Sequence, residues 1–212
     1  MTAALRPRRR RGHGRPVIIG LTGSIAMGKS TAAAMLKRIG IPVFDADAAV
    51  HRATRPNGPG ISAIAEKFPG AVTAGVLDRK KLGERVFGDA VALKVLERIL
   101  HPLVGRERHA WLGRCRRARH HIVVFDIPLL FETGGERTCN RVWVTTAPAF
   151  LQRQRALMRP GMTAATLAQV LKRQTPDATK RRMADVVLPS GLGRRESLRR
   201  IVRALKILTR RP

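Results

Sequence analysis

The fold is decided by the stretch Val17-Ile18-Ile19-Gly20-Leu21-Thr22-Gly23-Ser24-Ile25-Ala26-Met27-Gly28-Lys29-Ser30. Its first six residues form an apolar run, which predicts a buried strand. Its last eight residues match the pattern Gly-x-x-x-x-Gly-Lys-Ser/Thr in full. Helical periodicity follows as far as Ile39, and Gly40 occupies the stop position. A strand, a glycine-rich loop and a helix in this order predict a phosphate-binding loop in an α/β protein.

The glycine-rich loop has the composition that phosphate binding requires. Glycine permits left-handed backbone angles and a close approach of the backbone to phosphate oxygens. Successive N–H groups and the start of the helix then form an anion cradle. Lys29 places a positive charge near the transferred phosphoryl group, and the Ser30 hydroxyl can ligate Mg²⁺. The predicted ATP-binding residues are Gly23, Ser24, Ile25, Ala26, Met27, Gly28, Lys29, Ser30 and Thr31.

The loop by itself leaves several classes of nucleotide-using protein to consider. A chance match in an ordinary strand-to-helix turn is disfavoured because the strand and the helix are both in place. A Rossmann site is excluded because Gly-x-Gly-x-x-Gly is missing. No Asn-Lys-x-Asp string for guanine is present, which argues against a GTPase, and 212 residues are few for most ATPase machines.

The remainder of the chain alternates apolar runs with helical stretches. Further strands are predicted at residues 42–44, 122–127, 142–145 and 186–188. Near-continuous apolar strands that alternate with helices indicate a parallel sheet with helices on both faces.

Residues 48–119 contain little strand signal and are predicted to form a helical insertion. Asp78 and Asp89 are expected to cap two of its helices, and His101-Pro102 is expected to separate the second from a third. Later in the chain, Thr175-Pro176 is interpreted as a helix start with proline at the first helical position.

The formal net charge of +28 attracts polyanions, of which a nucleotide is one and nucleic acid another. Aromatic residues make up only 4% of the chain and tyrosine is absent, so stacking platforms for nucleic acid are scarce. Residues 1–15 are predicted to be a disordered basic tail, with a misassigned start or contact with nucleic acid or a membrane as alternatives.

Two further features bear on the compartment. No apolar region long enough for a secretory signal follows the basic N-terminus, so such a signal is not expected, and no apolar run approaches the ~20 residues that a membrane span needs. Its two cysteines, Cys115 and Cys139, have neither zinc-site nor disulfide-framework spacing. The expectation is a reduced, cytoplasmic protein without a membrane partner.

Several motifs in order along the chain resemble those of the dephospho-CoA kinases, from Val17 to Leu208. They are the phosphate loop up to Thr31, Asp45-Ala46-Asp47, Leu100-His101-Pro102, Pro128-Leu129-Leu130-Phe131-Glu132, Gln152-Arg153-Gln154-Arg155 and Gln174. The resemblance implies a P-loop kinase fold with a five-stranded parallel sheet flanked by helices, a helical substrate-binding insertion and a mobile lid at about 155–175. It implies transfer of the ATP γ-phosphate to the ribose 3′-hydroxyl of dephospho-CoA, the last step of coenzyme A synthesis. Ala26 departs from the family, which usually has glycine there.

Asp47 follows a predicted strand and is the candidate base for the attacking hydroxyl. Asp47 and Asp45 are equally plausible caps for the next helix by spacing alone, and the resemblance favours Asp47 as base. Asp126 ends a strand as a Walker B aspartate does, which makes it a secondary candidate for Mg²⁺.

The resemblance also implies that Pro128, Leu129, Glu132 and His101 belong to the acceptor site. A surface salt bridge is the alternative for Glu132, and a structural role is favoured for His101. His51 could contact substrate or simply be an exposed helix residue.

Arg155 and Arg159 lie one helical turn apart before a Pro-Gly turn, and the resemblance favours Arg155 as the lid residue that clamps phosphate. A solvated basic face is the alternative.

Two other functions stay open at this point: a kinase of the same fold with another acceptor, and a nucleic-acid-binding ATPase.

Overall fold

A computed structural model describes residues 15–209 of the chain. The basic tail predicted for residues 1–15 therefore lies, apart from Arg15, outside the described residues. Within the described range, no helix is both long enough and apolar enough to cross a membrane.

Five strands form one parallel sheet, as the sequence predicted, and two very short strands form a separate hairpin. The strands are β1 (Val17–Thr22), β2 (Val43–Asp45), β3 (Val72–Thr73), β4 (Val76–Leu77), β5 (Ile122–Asp126), β6 (Arg141–Thr146) and β7 (Val186–Pro189). The sheet order is β2-β5-β1-β6-β7, so the strand that precedes the phosphate loop is central. Leu21 pairs with Asp126 in the β1–β5 register, which brings the ends of these two strands to the same edge.

The helices flank the sheet or belong to the insertion. They are α1 (Lys29–Arg38), α2 (Ala46–Ala53), α3 (Ile61–Lys67), α4 (Arg79–Val86), α5 (Ala90–Arg117), α6 (Ala149–Leu157), α7 (Ala164–Arg173), α8 (Asp177–Met183) and α9 (Arg194–Thr209). A 3₁₀ turn occupies Gly135–Thr138.

The main core lies between the sheet and the helices α1 and α9. Ile19, Leu21, Leu36, Trp143 and Ile201 are among its buried residues. Ile19 and Leu21 point to this face of β1 because alternate residues of a strand share a face. Fully burying each such side chain contributes about 1.5–3 kcal/mol, so this layer holds β1 and α1 firmly on either side of the loop.

The chain divides into two compact units, one of which is the continuous segment Asp45–Arg114. The other contains the sheet and runs up to Phe44 and on from Cys115. Asp45–Arg114 has a small core of its own, with Ile64, Phe68, Ala71 and Leu82 buried.

Two details of the insertion differ from the sequence prediction. The break at His101-Pro102 was wrong: α5 runs through Pro102 as one helix. Proline costs about 3 kcal/mol within a helix, but Val95, Leu96, Ile99 and Leu100 pack into the insertion core just before it and stabilise the helix. The β3–β4 hairpin was missed because two-residue strands are too short for a periodicity to show.

The helix starts follow the sequence more closely. The Asp78 carboxylate accepts hydrogen bonds from the N–H groups of Lys80 and Lys81, and Asp89 accepts from Val91 and Ala92. Both predicted caps are confirmed. Helix α8 begins one residue later than the Thr175-Pro176 pattern suggested, with Pro176 at the cap position.

Candidate active site

The phosphate loop connects the carboxyl end of β1 to the start of α1. Gly28 takes φ +87° and is the residue before the helix, and Ala26 also has a positive φ of +59°. The strain expected at Ala26 if its position needed a positive φ is therefore present. A Cβ at Gly28 would lie 2.7 Å from the Ser190 side chain, and one at Gly23 would lie 2.8 Å from the Thr145 carbonyl oxygen. Both motif glycines are needed for close packing.

Several backbone N–H groups of the loop and the first helical turn have no hydrogen-bond acceptor within residues 15–209 and can donate to a ligand. Those of Ala26, Gly28, Lys29, Ser30 and Thr31 are among them. By contrast, the Met27 N–H is used within the loop, where it donates to the Ser24 carbonyl at 3.1 Å. Free N–H groups at a helix start form an anion site.

The Lys29 side chain, at the start of α1, makes an ion pair with Asp126. Its Nζ is 2.6 Å from Asp126 Oδ1, and the two side chains are 16% and 7% exposed. Asp126 is the last residue of β5, beside β1 in the sheet. The structure therefore places Asp126 beside the phosphate loop, paired with Lys29.

Arg155 reaches the phosphate loop through Ser190. Its Nη1 donates to Ser190 Oγ at 2.9 Å and its Nη2 donates to the Ser190 carbonyl at 3.1 Å. The Ser190 hydroxyl in turn donates to the Met27 carbonyl at 3.0 Å. The guanidinium is thus held one serine away from the loop. The Arg159 side chain is exposed and makes no hydrogen bond or ion pair in the described part of the chain.

Glu132 is part of a buried ion pair rather than the surface salt bridge considered as its alternative. Its carboxylate is 2.9 Å from Lys180 Nζ, a fully buried group, and accepts the Thr175 N–H at 2.8 Å. Burial raises the pKa of the Glu132 carboxyl, but the hydrogen bonds from Lys180 and from backbone N–H groups outweigh it, so this pKa lies below its ordinary value. Glu132 therefore fixes the segment that follows α7.

Pro128 and Leu129 precede Glu132 in the same motif and have different surroundings. The Pro128 carbonyl accepts a hydrogen bond from the Thr22 hydroxyl at 2.9 Å, which ties it to the end of β1. The Leu129 side chain is 42% exposed. An apolar side chain exposed in this way beside the sheet edge is available for contact with a ligand.

In the unit Asp45–Arg114, the two aspartates after β2 have different surroundings. Asp45 caps α2, because its Oδ1 accepts the Ala48 N–H at 2.9 Å. Asp47 is exposed in the first turn of α2 and makes no hydrogen bond or ion pair within residues 15–209. The capping role left open by spacing thus belongs to Asp45. His101 is exposed on α5.

Sequence reasoning missed Ser190, Lys180 and Arg79. Arg79 Nη2 lies 3.2 Å from His51 Nδ1 and donates to Thr54 Oγ1 at 3.1 Å, so it covers the helix face that carries His51. The Asp78 cap signal marked this helix start, but nothing in the sequence linked its first residue to α2.

Taken together, the parallel sheet, the phosphate loop on its central strand and the carboxylate on the neighbouring strand define a P-loop kinase. Solved structures agree on the fold: a shikimate kinase from Acinetobacter baumannii superposes with a TM-score of 0.54 at 18% identity, covering 93% of this chain and 97% of that one. A crystal structure of a Thermus thermophilus protein gives a TM-score of 0.83 at 35% identity, covering 93% and 100%.

The chain belongs to the dephospho-CoA kinase family, whose sequence profile matches residues 17–193. The dephospho-CoA kinase of Rhodospirillum rubrum is 56% identical over 86% of this chain and 87% of its own length. That of Novosphingobium aromaticivorans is 50% identical over 91% and 96%. As a family member, the protein is a transferase that phosphorylates dephospho-CoA with ATP in coenzyme A biosynthesis.

Proposed function

We propose that the chain transfers the γ-phosphate of ATP to the ribose 3′-hydroxyl of dephospho-CoA, with Lys29, Arg155 and Asp47 as its catalytic residues. A bond forms between the 3′-oxygen and the γ-phosphorus. The bond from that phosphorus to the β–γ bridging oxygen breaks, leaving ADP, and Asp47 takes the hydroxyl proton. The observation that carries this proposal is the cradle of free N–H groups that includes those of Gly28, Lys29 and Ser30.

On the ATP side, the phosphate loop combines positive charge with backbone N–H donors. Phosphoryl transfer depends mainly on positioning and on stabilising charge over the phosphoryl oxygens. The cradle offers several N–H groups, and the Lys29 ammonium can pair with the phosphates. Arg155, held by Ser190, supplies a second cation at the loop. A planar guanidinium suits a phosphate because it donates two parallel hydrogen bonds.

The donor chemistry at the end of β5 also fits Mg²⁺. The Ser30 hydroxyl and the Asp126 carboxylate are hard oxygen ligands on adjacent elements, and a magnesium ion needs few protein ligands when phosphates and water supply the others. When bound, Mg²⁺ would neutralise charge on the triphosphate. Asp126 and Ser30 are the residues that would hold it, and Lys29 would add a further positive charge beside the phosphates.

On the acceptor side, we assign the base to Asp47, because Asp45 already caps α2 and Asp47 has no structural partner in the described chain. His101, Pro128 and Leu129 keep their proposed place in the acceptor site. Glu132 is proposed to act on the acceptor by fixing this segment through Lys180. A cytoplasmic location is part of the proposal, and neither Cys115 nor Cys139 forms a disulfide.

The test combines product analysis with a pair of variants. The protein is incubated with ATP, Mg²⁺ and dephospho-CoA, and the position of the new phosphate is read by ³¹P–¹H NMR. Asp47→Asn should lower kcat by about 10²–10⁴-fold if Asp47 is the base. Asp45→Asn is the matched control and should keep kcat, since asparagine is also a good cap. A phosphate on another hydroxyl, or an Asp47→Asn variant with normal kcat, would contradict the assignment.

A further inference from the structure

Two glutamine side chains hold the backbone of Ile25 at the tip of the phosphate loop. The Ile25 N–H donates to Gln174 Oε1 at 3.0 Å, and the Ile25 carbonyl accepts from Gln152 Nε2 at 3.0 Å. Both polar groups of this residue are therefore satisfied by side chains more than 100 residues away, at separations of 127 and 149. Gln152 is only 8% exposed, so its amide is committed to this contact.

Gln152 lies just before the segment predicted to be the lid, at about 155–175, and Gln174 lies close to the end of that segment. Gln152 lies in α6, and Gln174 follows α7 directly as its C-terminal cap residue. Apolar contacts reinforce them: Ala26 is buried with Ala156 and Leu167. The loop tip is thus attached to α6 and to α7 by both polar and apolar groups.

The two hydrogen bonds that Gln152 and Gln174 make to Ile25, here called the clamp, leave the anion cradle intact. It uses the N–H of Ile25 and leaves the neighbouring N–H of Ala26 open. It also satisfies the Ile25 carbonyl, whose negative end would repel a phosphate if it turned toward the cradle. Because a primary amide is both donor and acceptor, glutamine can satisfy either group. Gln152 is the donor of its hydrogen bond, and Gln174 is the acceptor of the other.

We propose that Gln152 and Gln174 are positioning residues that hold the phosphate loop in its triphosphate-binding shape and couple it to the α6–α7 segment. The proposal rests on the assignment of the loop to ATP. It predicts that loosening either glutamine weakens binding of the nucleoside triphosphate more than it weakens use of the acceptor. A purely structural role would instead lower the melting temperature without a selective effect on ATP.

The experiment compares Gln152→Ala and Gln174→Ala with Gln154→Ala and Gln169→Ala. The two controls are exposed glutamines on the same helices, α6 and α7. ATP binding is measured by calorimetry, and KM for ATP and for dephospho-CoA by initial rates. Each clamp variant should weaken ATP binding about 3- to 10-fold, the equivalent of one neutral hydrogen bond. The double variant should lose less than the product of the two, because both act on one residue's backbone.

A second pair of variants tests the fact that Gln152 donates its hydrogen bond whereas Gln174 accepts one. Gln174→Glu keeps an oxygen that can accept the Ile25 N–H, whereas Gln152→Glu sets a carboxylate against the Ile25 carbonyl. A simple charge effect on ATP would weaken both to a similar degree. The clamp predicts a clearly larger loss for Gln152→Glu, and this comparison replaces the alanine pair if an alanine variant does not fold.

The outcomes separate this proposal from the proposed function. If the wild-type protein does not bind ATP or does not phosphorylate dephospho-CoA, the proposed function fails. If it does both, and the clamp variants bind ATP as tightly as the Gln154→Ala and Gln169→Ala controls, the clamp is overturned. The clamp is also overturned if KM for ATP and KM for dephospho-CoA rise together in proportion to a lowered melting temperature.

Discussion

Lys29→Met is expected to lower stability as well as phosphoryl transfer. The complete phosphate-loop motif alone predicts that removing Lys29 abolishes transfer and spares the fold. The structure changes the second half of that expectation, because the Lys29 ammonium lies 2.6 Å from the carboxylate of Asp126, a side chain that is 7% exposed. Methionine keeps the length of the side chain and removes its charge.

The size of the loss follows from the burial of the pair. Removing one member of a buried ion pair costs about 3–5 kcal/mol. Lys29 is 16% exposed and Asp126 has a further interaction within the protein, so the loss should fall below that range. We expect about 2–3 kcal/mol, the upper part of the range for a hydrogen bond to a charged group. In a protein of this size that lowers Tm by about 4–12 °C.

The assay is thermal unfolding without nucleotide, together with kcat for dephospho-CoA. Lys37→Met, an exposed lysine on the same helix, is the matched control and should change neither quantity. Adding Asp126→Asn to Lys29→Met should recover part of the lost stability, because the buried negative charge is removed, while transfer stays abolished. An unchanged Tm in Lys29→Met would show that the pair does not form in solution, and near-normal kcat would refute the role of the loop.

Three further changes test the loop and its surroundings. Ala26→Gly relieves a left-handed φ worth about 1–2 kcal/mol, loses a buried methyl worth about 0.8 kcal/mol and loosens the unfolded chain by about 0.4–1 kcal/mol. Its Tm should therefore stay within about 3 °C of the wild type, and a larger rise would mean that strain dominates. Gly23→Ala should abolish ATP binding in calorimetry, because its Cβ would overlap Thr145. Gly83→Ala, on an open helix face, should instead raise Tm. Equal behaviour of the two variants would contradict the packing argument. Because the pKa of Glu132 lies below 4.5, its contribution to stability is complete above that pH and is lost as pH falls through the lowered pKa. Acid unfolding of Glu132→Gln should accordingly be less steep below pH 4.5, and an unchanged acid limb would argue against the ion pair.

Features that depend on neighbouring residues could be predicted from the sequence. The strand, loop and helix around Lys29 were confirmed because a motif of consecutive residues defines them. The caps at Asp78 and Asp89 were confirmed because a cap acts within three residues. The parallel sheet followed from the alternation of apolar runs with helices, and the position of Asp126 at the end of a strand was also predicted.

What the sequence could not predict is which distant side chains meet. Ser190 and Met27 are 163 residues apart, and the Gln174 contact to the loop spans 149 residues. No local periodicity encodes such pairs, since they depend on how the last strand and α6–α7 pack beside the loop. The continuation of α5 through Pro102 was missed for a related reason: the apolar contacts that offset the cost of proline are tertiary.

A comparison of the hydrogen-bond and ion-pair partners of the aspartates supports Asp47 as the catalytic base. The chain has seven aspartates, and six make a hydrogen bond or ion pair with a defined partner. These six are Asp45, Asp78, Asp89, Asp126, Asp177 and Asp185. The seventh is Asp47, whose carboxylate has no such partner in the part of the chain that the structure describes. It lies two residues after Asp45, which caps α2.

In a chain with a net charge of +28, an exposed carboxylate with no structural partner contributes little to the fold. It follows that Asp47→Asn should leave Tm unchanged while kcat falls, whereas Asp45→Ala should cost about 0.5–2 kcal/mol of stability with a far smaller effect on kcat. Thermal unfolding and rate assays on the two variants measure this reciprocal pattern. If Asp47→Asn lowered Tm as much as Asp45→Ala, the carboxylate would have a structural role, and the base would have to be sought elsewhere.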